Sequence, residues 1–170
     1  MAEVDCVVVG AGMSGLVTAR QLAASGISTI VFDKGRSVGG RLATRRIGAA
    51  RLDHGAQFMT ARSEAFAAQL ADWQNRGLAD VWCHGFERDD GHERWIGVNG
   101  MNSLAKDLAN GLDVRVDHRV FAAAWEDTEW RVTCDDASSV TASTLVLTAP
   151  TPQSFSFVFE AVGTDRKSVV

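Results

Sequence analysis

The chain is short of several things that would have classified it quickly. Of its 170 residues only three are cysteine, Cys6, Cys83 and Cys134. Their odd number and wide spacing exclude a disulfide framework and fit reduced thiols. Proline occurs twice, at Pro150 and Pro152, and an internal boundary is expected there. Charge is nearly balanced at a net −4, which leaves no broad basic surface for nucleic acid or an anionic membrane. No apolar run approaches membrane-spanning length, and a strand starting by Val4 leaves no room for a leader ahead of it, so the expected address is the cytoplasm. The histidines His54, His84, His92 and His118 make no ligand pattern. Cys83, His84 and His92 in "CHGFERDDGH" would need a fourth ligand at suitable spacing to close a zinc site, and no metal is expected. Repeats and low-complexity segments are absent too, and at 46% hydrophobic the chain has enough apolar side chain for a real core.

What is present reads as α/β. "VDCVVVG" is a β-branched apolar run of the kind buried on both faces of a parallel sheet. "MSGLVTARQLAASG" switches to helical spacing, with Leu16, Ala19, Leu22 and Ala23 on one side and Gly26 as the stop, and "ISTIVFD" returns to strand. "SEAFAAQLADWQNRG" predicts a helix with Ser63 as N-cap and Gly77 past its end, sharing Phe66, Leu70 and Trp73 on a face. "VWCHGFERDDGHERWIGV" reads as two strands around a charged turn, carrying Trp82 and Trp95. "MNSLAKDLANGL" reads as a short helix and "DVRVDHRV" as a strand. "EWRVTCDDASSVTASTLVLTAP" reads as a hairpin-like pair followed by the buried strand "TLVLTAP". The five tryptophans are expected to serve packing rather than a substrate cage.

Chemistry concentrates in the first sixty residues. "GAGMSG" places Gly10, Gly12 and Gly15 in G-x-G-x-x-G spacing after a strand and at the start of a helix, with Ala11, Met13 and Ser14 between them. The first glycine permits the turn, the second admits a pyrophosphate to the backbone, and the third lets helix and strand pack closely. Asp33 ends the next strand eighteen residues beyond Gly15, where a carboxylate can accept from ribose hydroxyls. That carboxylate also opposes a bound 2′-phosphate, an effect Lys34 beside it softens. A second glycine pair, Gly39 and Gly40, then follows with Arg41 in "RSVGGRLATRR", which nicotinamide dehydrogenases usually lack. Arg45 and Arg46 fit either a solvated edge or a phosphate contact.

The order glycine loop, ribose acid, G-G-R resembles the flavin-dependent amine oxidase and desaturase superfamily. "LDHGAQFMTAR" resembles the D-x-G-A-Q-aromatic form of its renalase-like branch, with further agreement in "RWIGVNGMNSLAKDL", "HRV" and "TLVLTAPTPQS", over residues 4 to 155. The resemblance implies a Rossmann-like FAD-binding domain with a parallel sheet plus β-hairpin or meander, and a partial inserted substrate domain. It divides the chain into 1–59 and 99–150 for the FAD-binding domain, 60–98 for the insertion, and 151–170 for the start of a further substrate segment. It implies FAD held by Gly10 to Gly15, Asp33, Lys34, Gly39, Gly40 and Arg41. Beside these it sets His54, Gly55, Ala56, Gln57 and Phe58 along the flavin ring, mainly through backbone groups, and Val120 at the adenine end. The activity implied is oxidation of dihydronicotinamide isomers with oxygen as acceptor. Amine oxidation or desaturation is the alternative within flavin chemistry, and a plain NAD(P)-binding module or an inactive fragment are the alternatives outside it. Hydride transfer to a flavin needs the donor carbon stacked on the ring and often no dedicated acid or base, so no catalytic residue is assigned.

The final "DRKSVV", Asp165 to Val170, is what GATCGGAAGAGCGTCGTG encodes, a common sequencing-adaptor string whose next triplet, TAG, is a stop. The resemblance fades near Ser154, so the tail is expected to be non-native and the reading frame truncated, with apolar surface exposed around "SFSFVF" and flavin held poorly. Amplification of the locus should then give a frame that continues through a substrate domain, and a genuine stop directly after Val170 would overturn the expectation.

Overall fold

The computed structural model describes residues 2–163. The chain runs β1 (Ala2–Val9), α1 (Met13–Ala24), β2 (Thr29–Phe32), a 3-10 turn (Gly40–Leu42), β3 (Thr44–Ile47) and β4 (Ala50–Asp53). It continues through α2 (Glu64–Asn75), β5 (Ala79–Cys83), β6 (Arg94–Gly97), α3 (Asn102–Ala109), β7 (Asp113–Arg115) and β8 (Val120–Glu126). The last elements are β9 (Glu129–Cys134), β10 (Ser139–Leu147) and α4 (Thr151–Gly163). Two compact units result: the chain up to Gly40 together with the stretch from Ala109 onward, and Arg41–Leu108.

The first unit is Rossmann-like. Its sheet has the order β7-β2-β1-β10-β9-β8, parallel through β10 and then antiparallel as a meander. Cys6, Val7, Val8 and Val9 of β1 are all buried, as a strand covered on both faces requires. Helix α1 buries Gly15, Leu16 and Ala19. Leu22 is half-buried and Ala23 is exposed, so the apolar stripe is narrower than its spacing predicts. The helix ends where Gly26 turns to a φ of 77°, its N–H donating to Ala23 O while Ile27 N–H donates to Leu22 O. Phe157 and Val158 of α4 pack on a core built from Val7, Phe32, Val120, Val132 and Val140. Each large apolar side chain buried there contributes about 1.5–3 kcal/mol.

Two expectations need correction in this unit, and one strand had no expectation at all. "DVRVDHRV" is not one strand: β7 stops at Arg115, because Asp117 takes a φ of 58° and the N–H groups of Asp117 and His118 donate to Gly35 O and Asp33 O in the loop after β2. "VFAAAWE" is β8, which its alanines conceal; pairing with β9 makes it a strand, with Trp125 opposite Trp130 and their rings 5.3 Å apart. "TLVLTAP" is the end of the nine-residue β10, and Leu145, Val146 and Leu147 are half-buried rather than buried.

In the second unit β3 and β4 form an exposed two-stranded ribbon turning at Gly48 (φ 59°), and β5 pairs antiparallel with β6 across the charged turn. Ser63 caps α2, its Oγ accepting from Phe66 N–H at 3.3 Å, and Gly77 (φ 69°) follows the helix end. Trp73 and Trp95 are buried, whereas Trp82 is half exposed. Asp107 of α3 clasps α2: it accepts from Trp73 Nε1 at 2.9 Å and takes both Arg76 terminal nitrogens at 2.7 Å. Those bonds push the guanidinium pKa further up.

Cys6, Cys83 and Cys134 are free, and burial pushes the Cys6 and Cys134 thiols up. Among the described residues no helix is long and apolar enough to cross a membrane, and no cluster of His, Cys, Asp or Glu could hold a metal ion. Phe155 and Phe159 of α4 are exposed, ring against ring at 5.5 Å. The "DRKSVV" tail lies outside the described residues.

Removing the clasp tests its weight. Asp107→Ala leaves the buried indole N–H of Trp73 without its acceptor, which should lower stability by about 1–3 kcal/mol in a denaturant titration followed by tryptophan fluorescence.

Candidate functional site

The three glycines of "GAGMSG" have three different jobs. Gly10 sits at a φ of 110°, and a Cβ there would come within 2.6 Å of Thr148 Oγ1. A Cβ on Gly15 would lie 1.8 Å from Gly10 O, so α1 meets the end of β1 only because that position has no side chain. A Cβ on Gly12 would meet nothing within 4 Å. Gly12 is the N-cap of α1, and no side chain caps the helix. The first-turn N–H groups therefore have no side-chain cap, and the positive end of the helix dipole lies behind them.

Ala11 is fixed from both sides. Its N–H donates to Asp33 Oδ2 at 2.6 Å, and its carbonyl accepts from Gly39 N–H at 2.8 Å. Asp33 Oδ1 accepts in turn from Gly35 N–H at 2.7 Å. Each carboxylate oxygen keeps a further lone-pair site, so hydroxyl donors can still be accepted. Gly39 (φ 117°) and Gly40 (φ 50°) run along the loop itself: a Cβ on Gly40 would lie 3.5 Å from Gly12 Cα. Lys34 Nζ reaches Gln153 Oε1 at 3.4 Å, and the Val120 side chain belongs to the core, beside the bulge in the β8–β9 pairing.

In the second unit, Arg41 and the "DHGA" run are tied through main chain. Ala56 N–H donates to Arg41 O at 2.8 Å and His54 N–H to Ala43 O at 3.1 Å. A Cβ on Gly55 would stand 2.0 Å from Arg41 O, which is why that position is glycine. The side chains of Arg41, His54 and Gln57 are exposed. Phe58 is half-buried, its ring edge-on to Phe86 at 5.3 Å with the Arg94 guanidinium over it.

Residues that the sequence did not single out complete these arrangements. Thr148 Oγ1 lies 3.0 Å from Val9 O and 3.1 Å from Gly10 O, binding the end of β10 to the turn. Asp53 Oδ1 accepts from the Thr44 hydroxyl and from Met101 N–H, while Thr44 Oγ1 accepts from Asn102 N–H at 3.1 Å, so the β3–β4 ribbon caps the start of α3. The only signal for Thr148 is a hydroxyl directly after an apolar strand run.

Comparison with known proteins agrees with this geometry. Residues 8–72 match the family model of the NAD(P)-binding Rossmann-like domain, and residues 61–155, more than half of the chain, match that of the flavin containing amine oxidoreductases. The chain belongs to the flavin-containing amine oxidoreductase family. Members of this family are FAD-dependent oxidoreductases, and the loop is a fit for FAD: an open cradle at Gly12, uncapped helix donors and a carboxylate at the end of β2.

A protein described as a flavin-containing monoamine oxidase, AofH of Mycobacterium tuberculosis, is 42% identical over 65 residues, 38% of this chain and 14% of that protein. An acetone monooxygenase (methyl acetate-forming) of Gordonia sp. is 25% identical over 144 residues, 84% of this chain and 24% of that one. Among solved structures, a redesigned putrescine oxidase superposes with a TM-score of 0.71 at 16% identity, covering 88% of this chain and 58% of that chain. A CLA-producing fatty acid isomerase from P. acnes superposes with a TM-score of 0.72 at 11% identity, covering 91% and 60%. At these identities the two structures show the shared fold alone. The chain spans a quarter or less of the curated relatives and about three fifths of the structural ones.

The glycines separate binding from folding. Gly12→Trp should fill the cradle while costing the fold about 1 kcal/mol or less, so FAD occupancy, read by absorbance after gel filtration, should collapse in a folded chain. Gly15→Ala should instead destabilise the fold itself by about 1–3 kcal/mol or more. Full flavin occupancy in Gly12→Trp would show that the cradle is elsewhere.

Proposed function

We propose that this chain is the cofactor-binding portion of a renalase-like, FAD-dependent oxidoreductase that oxidises dihydronicotinamide isomers in the cytoplasm, with oxygen as the final acceptor. The ADP half of FAD lies on Gly10 to Gly15, with Asp33 accepting from the adenosine ribose and Lys34 at its edge. Gly39, Gly40 and Arg41 carry backbone and positive charge along the pyrophosphate. His54 to Phe58 follow the flavin ring through main-chain groups, and Val120 meets the adenine end. Residues 60–98 supply the first part of the substrate domain.

The observation that supports the cofactor reading most strongly is Ala11, held by Asp33 and Gly39 together while Gly12 stays open. A loop pinned at both peptide groups presents its remaining N–H donors without reorganising when an anion arrives. Bound FAD supplies a two-electron acceptor at its ring system. The protein's part is then positional: to lay the donor carbon against that ring, keep water away and leave the acceptor end open to oxygen.

The dihydronicotinamide donor is favoured by the run "DHGAQFMT", whose Gln57 and Phe58 follow the pinned Gly55 and Ala56. The second reading, amine oxidation, is favoured by the 42% identity with a protein described as a monoamine oxidase, over 65 residues.

Anaerobic mixing decides between them. Dihydronicotinamide isomers should bleach the flavin band of the FAD-loaded protein at least tenfold faster than primary amines at equal concentration. Bleaching by amines alone would move the protein to the second reading.

A further inference from the structure

Within the Arg41–Leu108 unit lies an open pocket of about 700 Å³, lined in part by Phe58, Thr60, Arg62, Phe86, His92 and Arg94. Its walls combine two aromatic rings with three basic groups, and among the described residues that line it none is a carboxylate, although Asp90 pairs with Arg94 at its edge. Phe58 and Phe86 meet edge to face at 5.3 Å, and Trp82 continues the series at 5.5 Å from Phe86. Phe86 is 62% exposed and Trp82 51%, so much of this aromatic surface faces solvent.

Arg94 organises the pocket. Its guanidinium carbon lies 5.7 Å from the Phe58 centroid and 5.9 Å from that of Phe86. One terminal nitrogen donates to His92 O at 2.7 Å and the other to Asp90 Oδ2 at 2.5 Å. Two of the five N–H donors are used in these bonds, which hold the fork in place. The pairing with Asp90 also holds that carboxyl below its ordinary range, after the larger effect of the His92 N–H bond.

This arrangement selects against amines. A substrate cation gains from aromatic faces only where no other cation occupies them, and Arg94 already stands over both rings. An anion gains instead, from the remaining donors of Arg94 and from Arg62 and His92, and planar oxyanions suit the guanidinium fork. A flat ring attached to that anion would find Phe86 and Trp82 for stacking.

We infer that this pocket binds the phosphate-bearing, ring-containing end of a nucleotide, with Arg62 and Arg94 on the phosphate and Phe86 against the ring. The inference deepens the dihydronicotinamide reading and rests on it for the identity of the substrate.

The test is calorimetric titration of the flavin-free chain with reduced nicotinamide mononucleotide, whose dihydro ring is uncharged, and, separately, with reduced nicotinamide riboside, which lacks the phosphate. The mononucleotide should bind at least tenfold tighter. Arg62→Ala should remove most of that advantage while leaving the riboside unchanged, and Phe86→Ala should weaken both ligands severalfold. Arg94→Lys keeps the charge but loses the fork, and should also reduce the advantage. Arg62 and Phe86 are exposed, so their variants remain informative if changing Arg94 disturbs the hairpin. Equal affinity for the two ligands, no binding of the mononucleotide, or wild-type affinity in both Arg62→Ala and Phe86→Ala would each overturn the inference. Flavin bleaching is a separate readout. Bleaching by dihydronicotinamide without a phosphate advantage removes the pocket assignment alone, and phosphate-dependent binding without bleaching removes the reaction alone.

Discussion

Everything at the glycine-rich turn of this chain depends on the contact between Gly15 and the carbonyl of Gly10. The helix approaches the strand so closely that a single methyl would overlap a backbone oxygen at 1.8 Å. Because the contact is main chain on main chain, no rotamer change can relieve it. It sets where α1 begins, hence where its uncapped donors point, hence the open space over Gly12. Thr148 reinforces the same spot from the end of β10, its hydroxyl shared between Val9 O and Gly10 O. The end of one strand, the start of one helix and the end of a distant strand are thereby fixed at one carbonyl.

Around that point the site is assembled almost wholly from peptide groups. Asp33 is the principal side chain committed to the loop, and it is held by two backbone donors of its own. The Gly39–Gly40 pair serves the same economy: it brings a second length of main chain against the first without side chains intervening, and its next residue, Arg41, anchors Ala56 through a carbonyl. Side chains enter as braces at a distance, as Asp53 and Thr44 do for the start of α3. A site of this kind recognises the shape and charge common to dinucleotides.

What could be read from the sequence follows the range of the interactions. The turn of Gly10, Gly12 and Gly15 closes within six residues, and the caps at Ser63 and Gly77 act within one turn of their helix, so composition and spacing reveal them. The opening strand, helix, strand unit was legible for the same reason. Strand β8 was not, because an alanine run has no alternation, and its identity is settled by β9 and not by its own residues. "DVRVDHRV" misled for a related reason: its pattern is uninterrupted, but the donors of Asp117 and His118 are claimed by carbonyls after β2. The β3–β4 ribbon is exposed on much of its surface and leaves little hydrophobic signal. Thr148 lies 138 residues from Gly10 in sequence, and nothing local marks it as part of the turn.

The register of β1 has a consequence for how the chain is made. Its two neighbours are β2, close behind it, and β10, where Val9 stands opposite Leu147. A nascent chain emerging from the ribosome therefore completes the β1–β2 pairing early, but waits until β10 has been made before the other edge of β1 is closed. The Arg41–Leu108 unit is contiguous, so its hairpin, ribbon and helix clasp need nothing made later. Synthesis at about 5–20 residues per second leaves an interval of several seconds in which a hydrophobic parallel strand has one unpaired edge. In that interval the strand is exposed to wrong partners, and the burden of avoiding them falls on the speed of translation and on chaperones rather than on the finished fold.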